Sequence, residues 1–395
     1  MLSRILIFSL LIQSYYSIPL KVKLSTKHLV APISSPNIQI VKPVKLPVWP
    51  VYIGVIAQIC DWLNLNDVSE TIISKFGGRV IPMTLANKQD PFLLLVHHSH
   101  SFTPFDPIRP LQKLIIQEGF PAHPHSGFDT VTITIESGLR HRDDEGLIQT
   151  YFDGDTQWMR AGRGIIHEEM WDLDHSNRNN EFKKVEIYQL WVNLPSNSKD
   201  SKPIANLIKA NELDFIEIDD KIKLQVICGD IAIDNNVING PGNNMCESDI
   251  SIMQIKLAPN AQLLVNSDPN VSLTLFVRRG SLVLGNGEEI IYGNYMKVSN
   301  DDSEELNTLL TSGNRGLDAL VLLGKPLYEP CYFQGAFVQS DEKKLRRSYK
   351  IFSNPDLFWD HTTNDKSYRE HIDRIKLQDR IQKEIDIEIE QERYL

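Results

Sequence analysis

The sequence predicts an all-β protein built from two successive barrels or sandwiches and ending in a charged helical tail, and three observations carry this expectation. Short apolar or alternating runs separated by Gly, Pro, Asn and Asp begin at Pro91 and recur to about residue 335. These runs fall into two groups, about 90–195 and 220–335, with a Ser-, Asn- and Lys-rich stretch between them. After Pro330 the composition turns strongly charged and the strand pattern stops.

Taken in order, residues 1–50 contain Arg4, Lys21, Lys23, Lys27, Lys42 and Lys45 but no Asp or Glu, the first acid being Asp61. The apolar run from Ile5 to Ile12 is too short to span a bilayer and matches the hydrophobic part of a signal peptide. The acid-free stretch behind it resembles a transit peptide. Residues 1–50 are therefore expected to be a targeting segment, removed or disordered, for secretory entry or a plastid-like organelle rather than the nucleus or cytoplasm. Residues 51–89 are transitional. Phe92–Val96, Thr130–Ile135 and Tyr188–Leu194 are predicted strands of a first domain over 90–195. A linker follows over 196–219. Lys223–Cys228, Ile252–Leu257, Ser272–Val277 and Ala319–Leu323 are predicted strands of a second domain over 220–340. Arg278-Arg279-Gly280 and Asn286-Gly287 suit hairpin turns there. The tail, 341–395, holds two expected helices, Asp341–Ile351 and Lys366–Arg393, read as solvated because no heptad persists.

A chain of 395 residues with 42% hydrophobic content supports two real cores. Its formal charge of −10 argues against direct binding of nucleic acid or of an acidic membrane surface. It leaves room for a protein partner. Beyond the first residues no run is long and apolar enough for a membrane helix. Cys60, Cys228, Cys246 and Cys331 are scattered without a CxxC pair, so they are expected to be isolated, mostly buried thiols. No nucleophile elbow, P-loop or dinucleotide fingerprint is present.

The chemistry lies in the histidines. His123-Pro124-His125 feeds directly into the strand Thr130–Ile135, and in extended chain residues two apart share a face with Cα atoms about 6.5–7 Å apart. About forty residues on, His167 and Glu169 stand in the same relation. Two such pairs on strands would offer three imidazoles and one carboxylate to one ion. That donor set suits iron, copper, nickel or manganese with positions left open for dioxygen or an organic ligand, whereas structural zinc favours closed, thiolate-rich sites. His97, His98 and His100 form a second cluster for which packing or supporting roles are expected, since only His98 and His100 share a face. His141 is read as part of an exposed turn, and His175, His361 and His371 as surface residues. No histidine occurs from 176 to 360, which excludes a histidine-based metal site in the second domain. Trp158, Met159, Phe102 and Phe105 are either core or the wall of a flat-ligand pocket.

The pieces His123–Phe128, Gly154–Met159 and Ala161–Met170 resemble the signature of the pirin family, HPH-x-GF, GD-x-QWM and AGRGI-x-H-x-EM. Gln189–Leu194 and Gly324–Leu327 extend the resemblance, which covers about 90–350. It implies two tandem cupin (jelly-roll-like) β-barrels with iron, Fe(II) or Fe(III), in the N-terminal one, held by His123, His125, His167 and Glu169; other divalent first-row metals would fit the same donors. The second barrel is then metal-free. Ser126 stands where Arg is common, Asp129 where Glu is common and Arg160 where Thr is common; Ala336 replaces Pro. Some pirins are similar in activity to quercetin 2,3-dioxygenase, which opens flavonols with O2 and releases carbon monoxide. On that reading Glu169, or alternatively Glu168, takes the proton of the flavonol 3-hydroxyl. The other function implied by the family is a non-catalytic, iron-dependent redox regulator that binds a transcription factor or another protein.

Overall fold

The computed structural model describes residues 20–26, 38–48, 51–65, 68–69, 71–72, 78–86, 89–102, 118–136, 138–172, 183–234, 236–298 and 305–352. The apolar run at 5–12, Phe105, His175, His361, His371 and the expected helix Lys366–Arg393 lie outside these residues. No helix among the described residues is long and apolar enough to cross a membrane.

The chain divides into two compact units, and neither is continuous in sequence. The first comprises residues 42–214 and 327 onward; the second comprises 215–326 and the residues up to 41. Every strand expected from sequence is present, most of them longer than the runs that announced them. Thr130–Ile135, for example, lies within Phe128–Glu136, and Ala319–Leu323 ends the long strand Glu305–Gly324.

The first unit opposes two sheets. One has seven strands in the order Ile204–Ile208, Thr156–Arg160, Phe128–Glu136, Lys183–Asn193, Phe92–Phe102, Gly78–Thr84 and Leu46–Val48. The other has four, Gly119–His125, Ile165–Asp172, Gly138–Asp143 and Ile148–Tyr151. The seven-stranded sheet supplies nearly continuous apolar runs such as Phe92–Val96, as strands covered on both faces require. Here the expected boundaries shift. Gly78–Thr84, from the transitional segment, pairs with Phe92–Phe102, and Val51–Trp62 is a helix. Ile204–Ile208, from the expected linker, pairs with Thr156–Arg160.

The tail helix Glu342–Phe352 is not solvated all round. Leu345, Ser348, Ile351 and Phe352 are buried, a spacing of three, three and one that marks one face. Leu345, Ile351 and Phe352 pack on Ile166 and Phe337 of the same unit. Asp341 caps the helix, its Oδ1 accepting the backbone N–H of Lys343 at 2.6 Å and of Lys344 at 3.2 Å. Gly164 admits the helix, because a Cβ there would lie 2.1 Å from the Phe352 ring.

In the second unit, Glu305–Gly324 pairs through its first half with Gln262–Pro269 and through its second with Ile250–Leu257 and Ser272–Val283. Its core is one continuous apolar cluster that includes Leu20, Val22 and Leu24. These three residues lie in the segment expected to be removed or disordered. Lys21–Ser25 is instead a strand, parallel to Asp230–Ile233 and antiparallel to Gln262–Pro269, and Ile38–Val41 pairs with Tyr295–Val298. The alternation of lysine and apolar residues gives it one exposed and one buried face. The cysteines are all free; only Cys228 is buried, so the expectation of mostly buried thiols holds for one of four.

Leu24 is 1% exposed. Leu24→Ala is expected to lower unfolding free energy by about 2–5 kcal/mol in chemical denaturation, while the exposed Lys23→Ala costs almost nothing. Equal effects would mean that the strand contributes nothing to the second unit.

Candidate metal centre

Register places the candidate ligands before any side-chain contact is considered. In the four-stranded sheet His167 lies opposite His123 on one side and Asp143 on the other, and Glu169 lies opposite His141. Positions 123 and 125, 141 and 143, and 167 and 169 each share a face by the two-residue period. A register shift between His167 and Glu169 sets Glu169 opposite Phe120.

Three of the four expected ligands converge. One nitrogen each of His123, His125 and His167 lies within 4.8 Å of the others. Glu169 does not join that trio; its carboxylate oxygen groups instead with His141 and His167. His167 is thus common to both sets. His141 was expected on an exposed turn, yet it is fully buried at 0% exposure in the strand Gly138–Asp143. The turn begins one residue beyond that strand. The period-two relation of His141 to Asp143 was the available signal, and the charged run that follows obscured it.

Hydrogen bonds fix the tautomers. His123 Nδ1 is 2.7 Å from the carbonyl of Pro121, so it carries the proton and Nε2 the lone pair. Asp143 Oδ2 is 2.9 Å from His141 Nε2, which donates to it. In that tautomer Nδ1 of His141 is the acceptor, and His167 Nδ1, 3.4 Å away, donates to it. The remaining nitrogen of His167, Nε2, faces His123 Nε2 at 3.1 Å, lone pair towards lone pair. Both ring nitrogens of His125 are buried without a hydrogen-bond partner. A cation among the three rings relieves all of this, so the donor set fits a first-row metal ion. Burial, then the neighbouring His123, pushes His125 well below the ordinary imidazole range. Burial, then His123, His125 and His141, does the same to His167. Both rings are neutral at physiological pH, the form that binds metal.

Glu169 is fully buried and accepts from both sheets. Thr132 Oγ1 at 3.3 Å and Gln189 Nε2 at 3.0 Å come from the seven-stranded sheet, and the Tyr151 hydroxyl from the four-stranded one. Glu168 lies on the other face of its strand, where it accepts from Arg142 Nε at 2.9 Å. Phe128 and Trp191 flank His125, with ring centroids 5.2 and 5.4 Å away. Trp158, Met159 and Phe102 are buried core, the Trp158 indole donating to Asp129 Oδ2 at 2.8 Å. Two family departures meet each other: Asp129 and Arg160 are cross-strand partners with Oδ1 and Nε 3.4 Å apart.

The turn after His125 is braced by returning chain. Val338 N–H donates to the Ser126 carbonyl at 2.9 Å, and Gly127 has no room for a side chain, since a Cβ would lie 1.7 Å from the Val338 carbonyl oxygen. Buried Lys199 donates to the Gly127 carbonyl at 2.7 Å and to Asn193 Oδ1 at 2.6 Å; burial pushes its ammonium down to about 8. The second histidine cluster is packing, as expected. His97 Nε2 lies 3.0 Å from Glu186, while His98 and His100 stack with each other at 5.9 Å and pack near Trp171.

With this geometry in place, the chain was compared with known proteins. A family model described as Pirin matches residues 74–192, and another described as Pirin C-terminal cupin domain matches residues 252–356. A Pseudomonas aeruginosa protein named "Putative quercetin 2,3-dioxygenase" is 30% identical over 273 residues, covering 69% of this chain and 87% of its own length. Pirin-1 of Arabidopsis thaliana is 28% identical over 271 residues, covering 67% and 82%. The crystal structure of quercetin 2,3-dioxygenase from Acinetobacter baumannii aligns at a TM-score of 0.59 and 26% identity, over 71% of this chain and 91% of that one. The two units are cupin domains.

Two outcomes follow from the hydrogen bonds. Asp143→Asn and His141→Phe are each expected to weaken metal affinity about 10- to 100-fold in chelator competition, because they unfasten the tautomer of His167. An unchanged affinity would sever His141 from the site. Asp144 Oδ1 accepts the Ile166 N–H at 2.9 Å, and burial raises its carboxyl to about 7. A raised acid contributes full stability below its unfolded value of 3.8 and loses it as pH climbs through about 7. Asp144→Asn should therefore flatten the decline in stability between those limits, read by denaturation at several pH values.

Proposed function

The chain belongs to the pirin family, and from that premise we propose that its N-terminal barrel is an oxygenase centre for a flavonol-like substrate and O2, in which His123, His125 and His167 would hold iron with Glu169 grouped beside His167 as the further candidate ligand. The observation that carries this reading is the meeting of two Nε2 lone pairs, on His123 and His167, beside a His125 with neither nitrogen partnered. Relatives bearing quercetin 2,3-dioxygenase names support the choice of substrate class.

In this reading an ion held by these residues would supply Lewis acidity. The chain's own residues do the rest. Phe128 and Trp191 give a flat ring an apolar wall beside His125. Glu169 is the acceptor for the 3-hydroxyl proton, and the Tyr151, Thr132 and Gln189 donors hold its carboxylate in one orientation while it does so. Glu168 is set aside as the base, because its carboxylate is engaged with Arg142 on the opposite face. The chain Asp143–His141–His167 holds a ligand ring still and lets it take up positive charge.

The iron-loaded protein is expected to contain about one iron per chain and to release carbon monoxide from quercetin. His123→Ala should lose the iron, and Glu169→Ala should lower turnover by about 10²-fold or more. Absence of carbon monoxide with iron, manganese, nickel or copper would defeat the oxygenase reading and leave the redox-regulatory one, to be tested by partner binding to the oxidised and reduced protein.

A further inference from the structure

The first barrel holds another pair of histidines that the metal centre does not use. His98 and His100 lie two residues apart on Phe92–Phe102 and pair across the sheet with Ile187 and Val185. Both partners belong to the apolar cluster on which Phe120 and Trp171 of the four-stranded sheet pack, so the two imidazoles point between the sheets. His97 lies on the opposite face, where its ring is 5.0 Å from Tyr188 and its Nε2 meets Glu186.

The rings around this pair form an aromatic compartment. His98 and His100 stack at 5.9 Å with their planes 14° apart. Phe120 meets His98 edge-on at 4.9 Å, Trp171 lies 5.5 Å from His100, and Phe102 stacks with His100 at 6.2 Å. Phe120 and Trp171 are half-buried and make the side nearer to solvent, while His98, 7% exposed, is the inner end. The compartment adjoins the proposed oxygenase centre. Phe120 is the cross-strand partner of Glu169, and Trp171 follows Glu169 by two residues on the same face. In the facing sheet Val96, two residues before His98, is paired with Gln189, whose Nε2 donates to Glu169 at 3.0 Å.

Packing accounts for the faces of these imidazoles but not for their nitrogens. Nδ1 of His98 and Nε2 of His100 are buried without a hydrogen-bond partner. Burial, then His100 and His97, pushes His98 well below the ordinary imidazole range; burial, then His97, brings His100 down to about 4. Both rings are therefore neutral at physiological pH. A buried polar atom left unmet is a cost that a matching group removes. A hydrocarbon ring would stack here and leave both nitrogens unmet. A carboxylate or phosphate would find only neutral rings in exchange for its hydration. A neutral ring bearing hydroxyls meets both demands, because a hydroxyl donates as well as accepts and so suits either tautomer.

We propose that His98 and His100 form a subsite for a phenolic ring, so that the substrate of this barrel bears hydroxyls on the ring it extends away from the metal centre. The subsite rests on the oxygenase reading for the reacting end of that substrate and on the unmet nitrogens for the other end.

The test compares quercetin with galangin, a flavonol that lacks the hydroxyls of the outer ring, on the iron-loaded full chain. The wild type is expected to favour quercetin by about tenfold or more in kcat/KM, mostly through KM. His98→Phe and His100→Phe, which keep an aromatic ring, should reduce that preference to about twofold or less with iron content retained. His98→Asn, which supplies a donor and an acceptor, should recover part of it. Calorimetric titration without oxygen reads the same ranking without turnover, which separates the subsite from the oxygenase reading. Binding that favours quercetin through the two histidines, with no carbon monoxide released, would sink the oxygenase reading and keep the subsite. Equal treatment of the two flavonols by the wild type, binding of neither, or a preference that survives both phenylalanine substitutions would overturn the subsite.

Discussion

A carboxylate that is fully buried must be given donors, and in the first barrel that demand organises everything near the histidines. Glu169 has no exposure to solvent, and its charge is met by Thr132, Gln189 and Tyr151. These donors come from both sheets, so the carboxylate fastens one sheet to the other across the barrel interior. Removing such a group while leaving its partners costs several kcal/mol on general grounds, because each donor is then desolvated without reward. The strand that carries Glu169 also carries His167 two residues earlier. Fixing one fixes the direction of the other.

From that anchored strand the proton positions propagate outward without further assumption. Asp143 can only accept, which makes His141 a donor to it and an acceptor towards His167; His167 is left with Nε2 facing the neighbouring rings. His123 reaches the same state independently through the Pro121 carbonyl. Two separate backbone and side-chain networks therefore deliver two lone pairs to one point. Burial keeps His125 and His167 uncharged, so the energetic cost of proton release on metal binding is small.

Much of this was legible in the sequence. The i, i+2 pairs at 123/125 and 167/169 each share a face of their own strand because extended chain has one fixed period, and the register sets His167 opposite His123. What sequence misjudged has physical causes. His141 shares the same period with Asp143, but Arg142, Asp143 and Asp144 suggested solvent, and pairing of Asp143 and Asp144 with buried groups is a tertiary fact. Leu20, Val22 and Leu24 alternate with lysines as a strand with one buried face should, yet a composition without acids spoke for a targeting segment. Local composition cannot reveal that the strand pairs with partners more than 200 residues away. The tail helix hid its buried face for a related reason: Leu345, Ile351 and Phe352 are few among many charges, and the surface they cover is made by the distant Ile166, Phe337 and Ala122.

The second barrel supplies the control that nature built into the same chain. Its interior is a continuous apolar cluster with no histidine in the stretch 176–360, and it forms the same kind of fold. A cupin barrel therefore needs neither imidazoles nor a buried carboxylate to hold its sheets together. Buried polar networks are at best neutral for stability when compared with well-packed apolar groups of similar volume. The first barrel nonetheless fills its centre with three converging rings, a relay of His141 and Asp143, and a carboxylate that needs three donors. An arrangement that stability does not require, and that leaves lone pairs facing each other until a cation arrives, is accounted for by what it binds.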